Sequence, residues 1–377
     1  LDTLFDASQA KRILHVLGTL NRGGAETMIM NLYRNIDREK IQFDFVIHSS
    51  EKCDYTEEIL SLGGKIYSIP RFTGKNYFTY KSAWKNFFAQ HPEYKIIHGH
   101  MRSTASIYLE LAKSFGVKTI AHSHSTSNGF GVSAIVKDIM QYSIRYNSDY
   151  LFACSQKAGE WLFGKKQFRK SNSFIVKNAI ESDKYIFNIM KREILRKELG
   201  IDGKFVIGHV GRFCSAKNHE YLVEIFESIY NTDNNSLLLL IGDGELLDEI
   251  KSIVHKKKIS HSVMFLGSRS DVSELLQCMD TFVFPSKFEG LGISVIEAQA
   301  SGLPCIISDN IPLEAHITKL IQALSLNKKP DEWAEFILRT KDKSHRKDMT
   351  KEIESSGYNV KFNTKWLEDF YYKIISS

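Results

Sequence analysis

FPSKFEGLGISVIEA, residues 284–298, reads as one complete strand-to-helix unit. Thr281 to Phe284 is a short β-branched and aromatic run, a turn holding Gly290 follows, and helical spacing of apolar residues begins near Gly292. Two acids, Glu289 and Glu297, stand eight residues apart, one in the turn and one in the helix. They cannot share a helical face in direct contact, so they suit two parts of an extended ligand. A carboxylate accepts paired hydroxyl hydrogen bonds, as ribose or a hexose presents, while helix-start amides serve phosphate. The same spacing also suits a dipole-favoured acid at Glu289 and a solvated one at Glu297. Spacing alone leaves these readings level.

The same unit repeats on both sides of this segment. Phe205 to Val210, Leu237 to Ile241, Val263 to Leu266 and Cys305 to Ile307 are strand-like runs separated by helical stretches. Upstream, Ile13 to Leu20, Phe43 to His48, Lys65 to Ile69, Ile96 to His100, Thr119 to His122, Tyr150 to Cys154 and Phe174 to Val176 alternate with helical segments such as Glu26 to Asn35 and Thr104 to Ser114. Such βαβα order predicts a parallel sheet covered on both faces. The pattern weakens between about Asn178 and Lys204, around a helix predicted at Met190 to Leu199, and then restarts. The expectation is α/β: two Rossmann-like, doubly wound domains at 1–180 and 181–358, facing an interdomain cleft. A final helix at 359–377 packs back toward the N-terminal domain through Trp366, Phe370 and Tyr371 and carries no chemistry. Open α/β sheets bind ligands beyond the carboxyl ends of their strands, so the loops after strands are where function is sought.

Composition agrees with this. A chain of 377 residues exceeds one ordinary core, and 43% hydrophobic with 25% charged residues excludes disordered and fibrous classes. The best apolar run, Leu237 to Ile241, has the length of a buried strand and not of a membrane span. The start, Leu1 to Ala10, has neither a basic n-region nor an apolar h-region, so a cytoplasmic location is expected. Cys53, Cys154, Cys214, Cys278 and Cys305 lie far apart without a CxxC pair, which predicts buried thiols and neither zinc ligands nor disulfides. The net charge of +6 is uneven: residues 1–180 hold 24 Lys and Arg against 15 Asp and Glu, and the rest hold 26 against 29.

Two more loops carry candidate chemistry. After the first strand, Gly23 and Gly24 open a helix, where backbone can approach a ligand closely and free amides attract an anion; a plain tight turn fits equally. After the strand ending at Val210, Arg212 offers a planar fork to phosphate oxygens and Lys217 a point charge near the next helix start.

Together these segments resemble the retaining glycosyltransferases of family 4. FEGLGISVIEAQASGLP resembles their E-x7-E signature and VGRFCSAKN their G-R-x4-K diphosphate motif. LNRGGAE resembles the glycine-rich entry, IGDGE the turn after Ile241, and VKNAI the N-G-[IV] segment, all in family order. The resemblance implies a GT-B fold, with a nucleotide-sugar donor, UDP-linked by expectation, on the C-terminal domain and an acceptor on the N-terminal one. Arg212 and Lys217 then clamp the diphosphate, Glu297 takes the ribose hydroxyls, and Glu289 with Gly290, Leu291 and Gly292 addresses the transferred sugar. Gly23 and Gly24 close over the phosphates. The family also places a histidine near the sugar; His122 and His124 both qualify, His124 being farther beyond its strand. His98 and His100 border the acceptor or face solvent. Two departures stand out: Ala179 replaces the usual Gly after Asn178, and Gly292 sits where Pro or Phe is common.

Retaining transfer of this type uses no protein nucleophile, so the diphosphate charge must be met by preorganised donors. No two Asp residues lie two apart, so the metal-holding DxD pair is missing; no metal and no cofactor are expected, the nucleotide sugar being a substrate. The basic front half suggests a lipid-linked saccharide acceptor at an anionic inner membrane face, met by Lys165, Lys166, Arg169 and Lys170 with Trp161, Phe163 and Phe168 interleaved; a solvated surface over core aromatics is the alternative. No recognised nucleic-acid motif accompanies the charge. The reading is surface-polysaccharide synthesis of the capsule or exopolysaccharide kind. Its rivals are a non-hydrolysing UDP-sugar 2-epimerase and a non-catalytic nucleotide-sugar-binding subunit.

Overall fold

The computed structural model describes residues 10–125, 132–341 and 346–376, with backbone alone at 132–134. The chain divides into two compact units, Leu1–Ala179 with Val360–Ser377, and Ile180–Asn359.

The front unit holds β1 (Lys11–Val16), β2 (Ile41–Ile47), β3 (Ile66–Ser68), β4 (Ile96–Gly99), β5 (Lys118–Ser123), β6 (Tyr150–Ala153) and β7 (Ser173–Ile175). They form one sheet in the order β3-β2-β1-β4-β5-β6-β7, and every pair is parallel. The order reverses between β1 and β4, where crossover helices diverge to opposite faces and leave a crevice at the strand ends. Strands this apolar must be covered on both sides. Ile13, Phe43, Phe45, Ile96, Ile120 and Phe152 form part of the core, closed by Leu367, Phe370, Tyr371 and Ile374 from the helix Val360–Ile375. Each such side chain contributes roughly 1.5–3 kcal/mol by burial, enough to fix the last helix on this unit.

The rear unit holds β8 (Phe205–Val210), β9 (Ser236–Ile241), β10 (Val263–Phe265), β11 (Thr281–Phe284), β12 (Cys305–Ser308) and β13 (Ile321–Leu324). Their order is β10-β9-β8-β11-β12-β13, again with parallel pairing and a reversal, here between β8 and β11. The sequence pattern does not announce β13, an edge strand with only Leu324 buried. Ile13 to Leu20 is too long for a strand: β1 stops at Val16, and the next residues form the loop to the helix Gly24–Asn35.

Other expectations need correction. Cys53, Cys154, Cys278 and Cys305 are buried, but Cys214 is half-exposed in the loop after β8; all five are free thiols. Of the two readings of the basic segment, the solvated surface over core aromatics holds for Phe163 and Phe168, which belong to the core, while Lys165, Lys166, Arg169 and Lys170 are exposed on the turn after the helix Gln156–Phe163. Ala179 needs no left-handed turn: among the described residues only Asn218 and Lys258 carry positive φ without being glycine, and the Ala179 carbonyl accepts from Asn31 Nδ2 at 3.2 Å. Among the described residues no helix is long and apolar enough to cross a membrane.

Candidate active-site residues

In the rear unit the loops after β8 and β11 leave neighbouring strands at the order reversal, and they are stitched together. Asn218 adopts φ 59°, ψ 43°, a left-handed conformation that Asn tolerates, and its Nδ2 donates to the Pro285 carbonyl at 3.1 Å. The Lys287 amide donates to the Ala216 carbonyl at 2.8 Å. This seam carries Lys217 to Glu289: Nζ lies 2.7 Å from Oε1, with the side chains 18% and 12% exposed. The ammonium also sits 4.6 Å from the centre of the Phe284 ring.

Arg212 takes a different partner. Its Nε and Nη2 lie 3.2 and 3.1 Å from Glu245 Oε2, and the side chain is 70% exposed. Glu245 arrives on the turn after β9, which packs so tightly on the β8 loop that a Cβ at Gly242 would stand 2.1 Å from the Gly211 carbonyl oxygen. Only glycine fits there, which is the physical content of the IGDGE segment. Each motif cation therefore faces its own acid.

Glu297 is buried on the helix Ile293–Ala300, where Tyr185 donates to its Oε1 at 2.8 Å. It is not a solvated acid. Burial pushes its pKa up to about 7, partly opposed by the Tyr185 hydrogen bond. Gly290, Leu291 and Gly292 are buried between the two acids. Gly292 takes φ 87°, ψ 62°, a conformation closed to proline, which accounts for this departure from the family pattern. No side chain caps the helix that follows and its first turn holds no acid; within that turn the Val295 amide donates to the Gly292 carbonyl at 3.0 Å.

Two histidines absent from the sequence-based set support these loops. His209 Nδ1 donates to the Val283 carbonyl at 2.9 Å, joining β8 to β11, and His219 stacks on Phe213 with ring centres 4.0 Å apart. Burial lowers them to about 3 and about 2, so both are neutral near pH 7.

In the front unit, alternate residues of β1, β4 and β5 bring five imidazoles onto one face. His15 Nδ1 lies 3.0 Å from His100 Nε2, and His100 Nδ1 lies 2.9 Å from His124 Nε2. In parallel, His98 Nδ1 lies 2.7 Å from the Tyr371 hydroxyl and His98 Nε2 lies 3.1 Å from His122 Nδ1. His98 and His100 thus do not face solvent, and the last helix does contribute a polar group, Tyr371. Burial drives His15 and His124 down to about 3 and the other three well below the usual range, leaving every ring neutral near pH 7. His124 is half-buried and His122 fully buried. His100 also lines a cavity of about 1740 Å³ together with Gly18, Thr19, Arg71, Arg102 and Lys137.

Gly23 caps the helix Gly24–Asn35 in an extended conformation, its carbonyl accepting from the Thr27 amide at 2.8 Å. A Cβ at Gly24 would meet nothing within 4 Å, so no protein atom demands glycine there.

Known proteins share this plan. The chain matches the profile of glycosyl transferases group 1 over residues 191–356 and that of glycosyltransferase family 4 over residues 22–184. EpsF of Bacillus subtilis (strain 168), named as a glycosyltransferase, is 35% identical over 374 residues, 97% of this chain and 97% of its own. CapH of Staphylococcus aureus, a capsular polysaccharide biosynthesis glycosyltransferase, is 23% identical over 372 residues, 96% of this chain and 98% of its own. Anabaena Alr3699/HepE, solved in complex with UDP and glucose, matches with TM-score 0.77 over 96% of this chain and 100% of its own, at 15% identity, a likeness of fold. Near-full-length similarity to EpsF, two reversed parallel sheets and acid-and-cation loops at the rear reversal make the chain a member of glycosyltransferase family 4, with the GT-B fold.

Proposed function

We propose that the protein moves a hexose or N-acetylhexosamine from a UDP-sugar to a saccharide or lipid-linked saccharide acceptor, with retention at the anomeric carbon and without a metal, in surface-polysaccharide synthesis. The observation that carries this reading is the meeting of Lys217 with Glu289 from the loops after β8 and β11, next to a helix that buries Glu297.

A diphosphate competes with Glu289 for Lys217 and with Glu245 for Arg212. Once it wins, both cations stabilise the charge that grows on the leaving group, and Glu289 is released to accept hydroxyls of the transferred sugar. Glu297 in its carboxylate form accepts the ribose hydroxyls. The open space above Gly24 admits the phosphates to the backbone, and His124, the half-exposed member of the imidazole pair, addresses the sugar. UDP as the nucleotide is supported by HepE, and capsule-type synthesis by CapH.

A peripheral contact with the inner membrane face is supported by the exposed apolar side chains Ile135, Val136 and Ile139 on the helix Val132–Gln141, with Tyr142 and Tyr146 beyond it. Lys137, exposed on the same helix, adds positive charge suited to anionic lipid.

The test is UDP release from a donor panel with and without acceptor, in EDTA, with the product anomer read by NMR. Retained configuration and undiminished turnover in EDTA are expected. Dependence on added Mg2+ or Mn2+, an inverted product, or conversion of donor without acceptor contradicts the proposal, the last pointing to an epimerase.

A further inference from the structure

The five-imidazole cluster of the front unit exceeds what one sugar-contacting histidine requires. We propose that His100, His122 and His124 form a binding site for a divalent transition-metal ion of the Zn2+ type, with His15 and His98 orienting the ligating rings from behind.

One ring nitrogen from each of these three residues lies within 4.8 Å of the other two, and His100 Nδ1 and His124 Nε2 are already 2.9 Å apart. A tetrahedral ion with bonds of about 2.0–2.1 Å sets its nitrogens about 3.3 Å apart, a shift that small ring rotations accommodate.

Hydrogen bonding supplies an independent argument. His122 Nε2 is buried without a hydrogen-bond partner, a costly condition for a polar atom that a bound ion relieves. If His122 ligates through Nε2, its Nδ1–H donates to His98 Nε2, and the His98 Nδ1–H then donates to the Tyr371 oxygen. If His100 ligates through Nδ1, its Nε2–H donates to His15 Nδ1. The rings of His100 and His122 thus each have a fixed tautomer, the arrangement in which metal-binding histidines donate their second nitrogen to a neighbour, and His124 completes the set through Nε2. Tyr371 arrives from the last helix and His15 from the first strand, so the support spans the whole unit.

An all-imidazole donor set suits Zn2+, Co2+, Ni2+ or Cu2+ and not the oxygen-seeking Mg2+ or Ca2+. Entry is provided by His100, which lines the large cavity. An ion held here occupies the rings assigned to the transferred sugar. Added Zn2+ then inhibits a transfer that EDTA does not lower, a consequence that rests on the proposed function, whereas ion uptake does not.

The experiment titrates the metal-free full chain with Zn2+ against a competing chromophoric chelator and records Co2+ absorption. Equimolar uptake with intense four-coordinate Co2+ bands is expected, at least tenfold weaker in His124→Gln and in His122→Gln, with Mg2+ failing to compete. Circular dichroism and melting of the metal-free variants separate lost ligands from lost folding, and His124→Gln, at a half-exposed position, is the variant least disturbing to the core. Absence of the Co2+ bands, or uptake undiminished in a folded His124→Gln, overturns the site. Uptake without inhibition of transfer leaves the site standing and counts instead against the role given to His124.

Discussion

The two strand-order reversals of this protein carry opposite chemistry. At the rear one, between β8 and β11, each candidate cation holds an acid: Lys217 with Glu289 and Arg212 with Glu245. At the front one, between β1 and β4, five imidazoles bond to one another and to a tyrosine hydroxyl. The same α/β topology thus builds a place where charge can be exchanged and a place where charge is suppressed. A pyrophosphate suits the first, because it substitutes for carboxylates already present. The second favours a neutral ligand group or an ion that prefers nitrogen.

The largest effect should come from breaking the rear pair. Lys217→Ala is expected to lower kcat by about 10²–10³, as removal of a preorganised donor at a developing charge does. Arg212→Ala should cost less, because that side chain is mostly exposed and its interactions are screened. Steady-state kinetics with a UDP-sugar compares the two.

A pH titration sharpens the contrast next. The folded pKa of Glu297 is raised from 4.5 to about 7, so its contribution to stability is fully present below pH 4.5 and is lost as pH rises through 7, by about 3 kcal/mol in total. Glu297→Gln should flatten that part of the stability-against-pH curve in chemical denaturation. Donor binding has the opposite sign: ribose hydroxyls need the carboxylate, so affinity should weaken up to about tenfold per unit below pH 7 in the wild type and not in Glu297→Gln.

At the front reversal the expected effect is smaller. Tyr371→Phe removes the hydroxyl that holds His98 and should destabilise by roughly 1–2 kcal/mol, seen as a lowered Tm, while leaving UDP affinity unchanged. Weakened UDP binding in Tyr371→Phe would break the division of labour drawn here.

Most strands, and the reason to look at their ends, were legible in the residues. Seven runs of the front half and five of the rear are strands because parallel sheets buried on both faces read as near-continuous apolar segments. β13 was not legible, since its alternation of half-exposed residues resembles any surface loop. In the rear unit, Lys217 and Glu289 were nameable from local motifs, but the partners that tune the site were not. Tyr185 lies 112 residues from Glu297, and no local pattern links them. His15 and His209 sit inside apolar strands, where a lone histidine signals nothing until the neighbouring strands are placed. The front cluster depends on register: β4 pairs with both β1 and β5, and only that pairing turns separate histidines into two hydrogen-bonded chains lying side by side.

Calorimetric titration of UDP into the wild type, Lys217→Ala and Glu289→Gln tests whether the rear pair exchanges a carboxylate for a diphosphate. If Lys217 exchanges Glu289 for a diphosphate, Lys217→Ala loses at least tenfold in UDP affinity. Glu289→Gln, which frees the ammonium, binds UDP as tightly as the wild type or more tightly while sugar transfer falls. UDP affinity unchanged in Lys217→Ala, or weakened equally in both variants, contradicts that exchange.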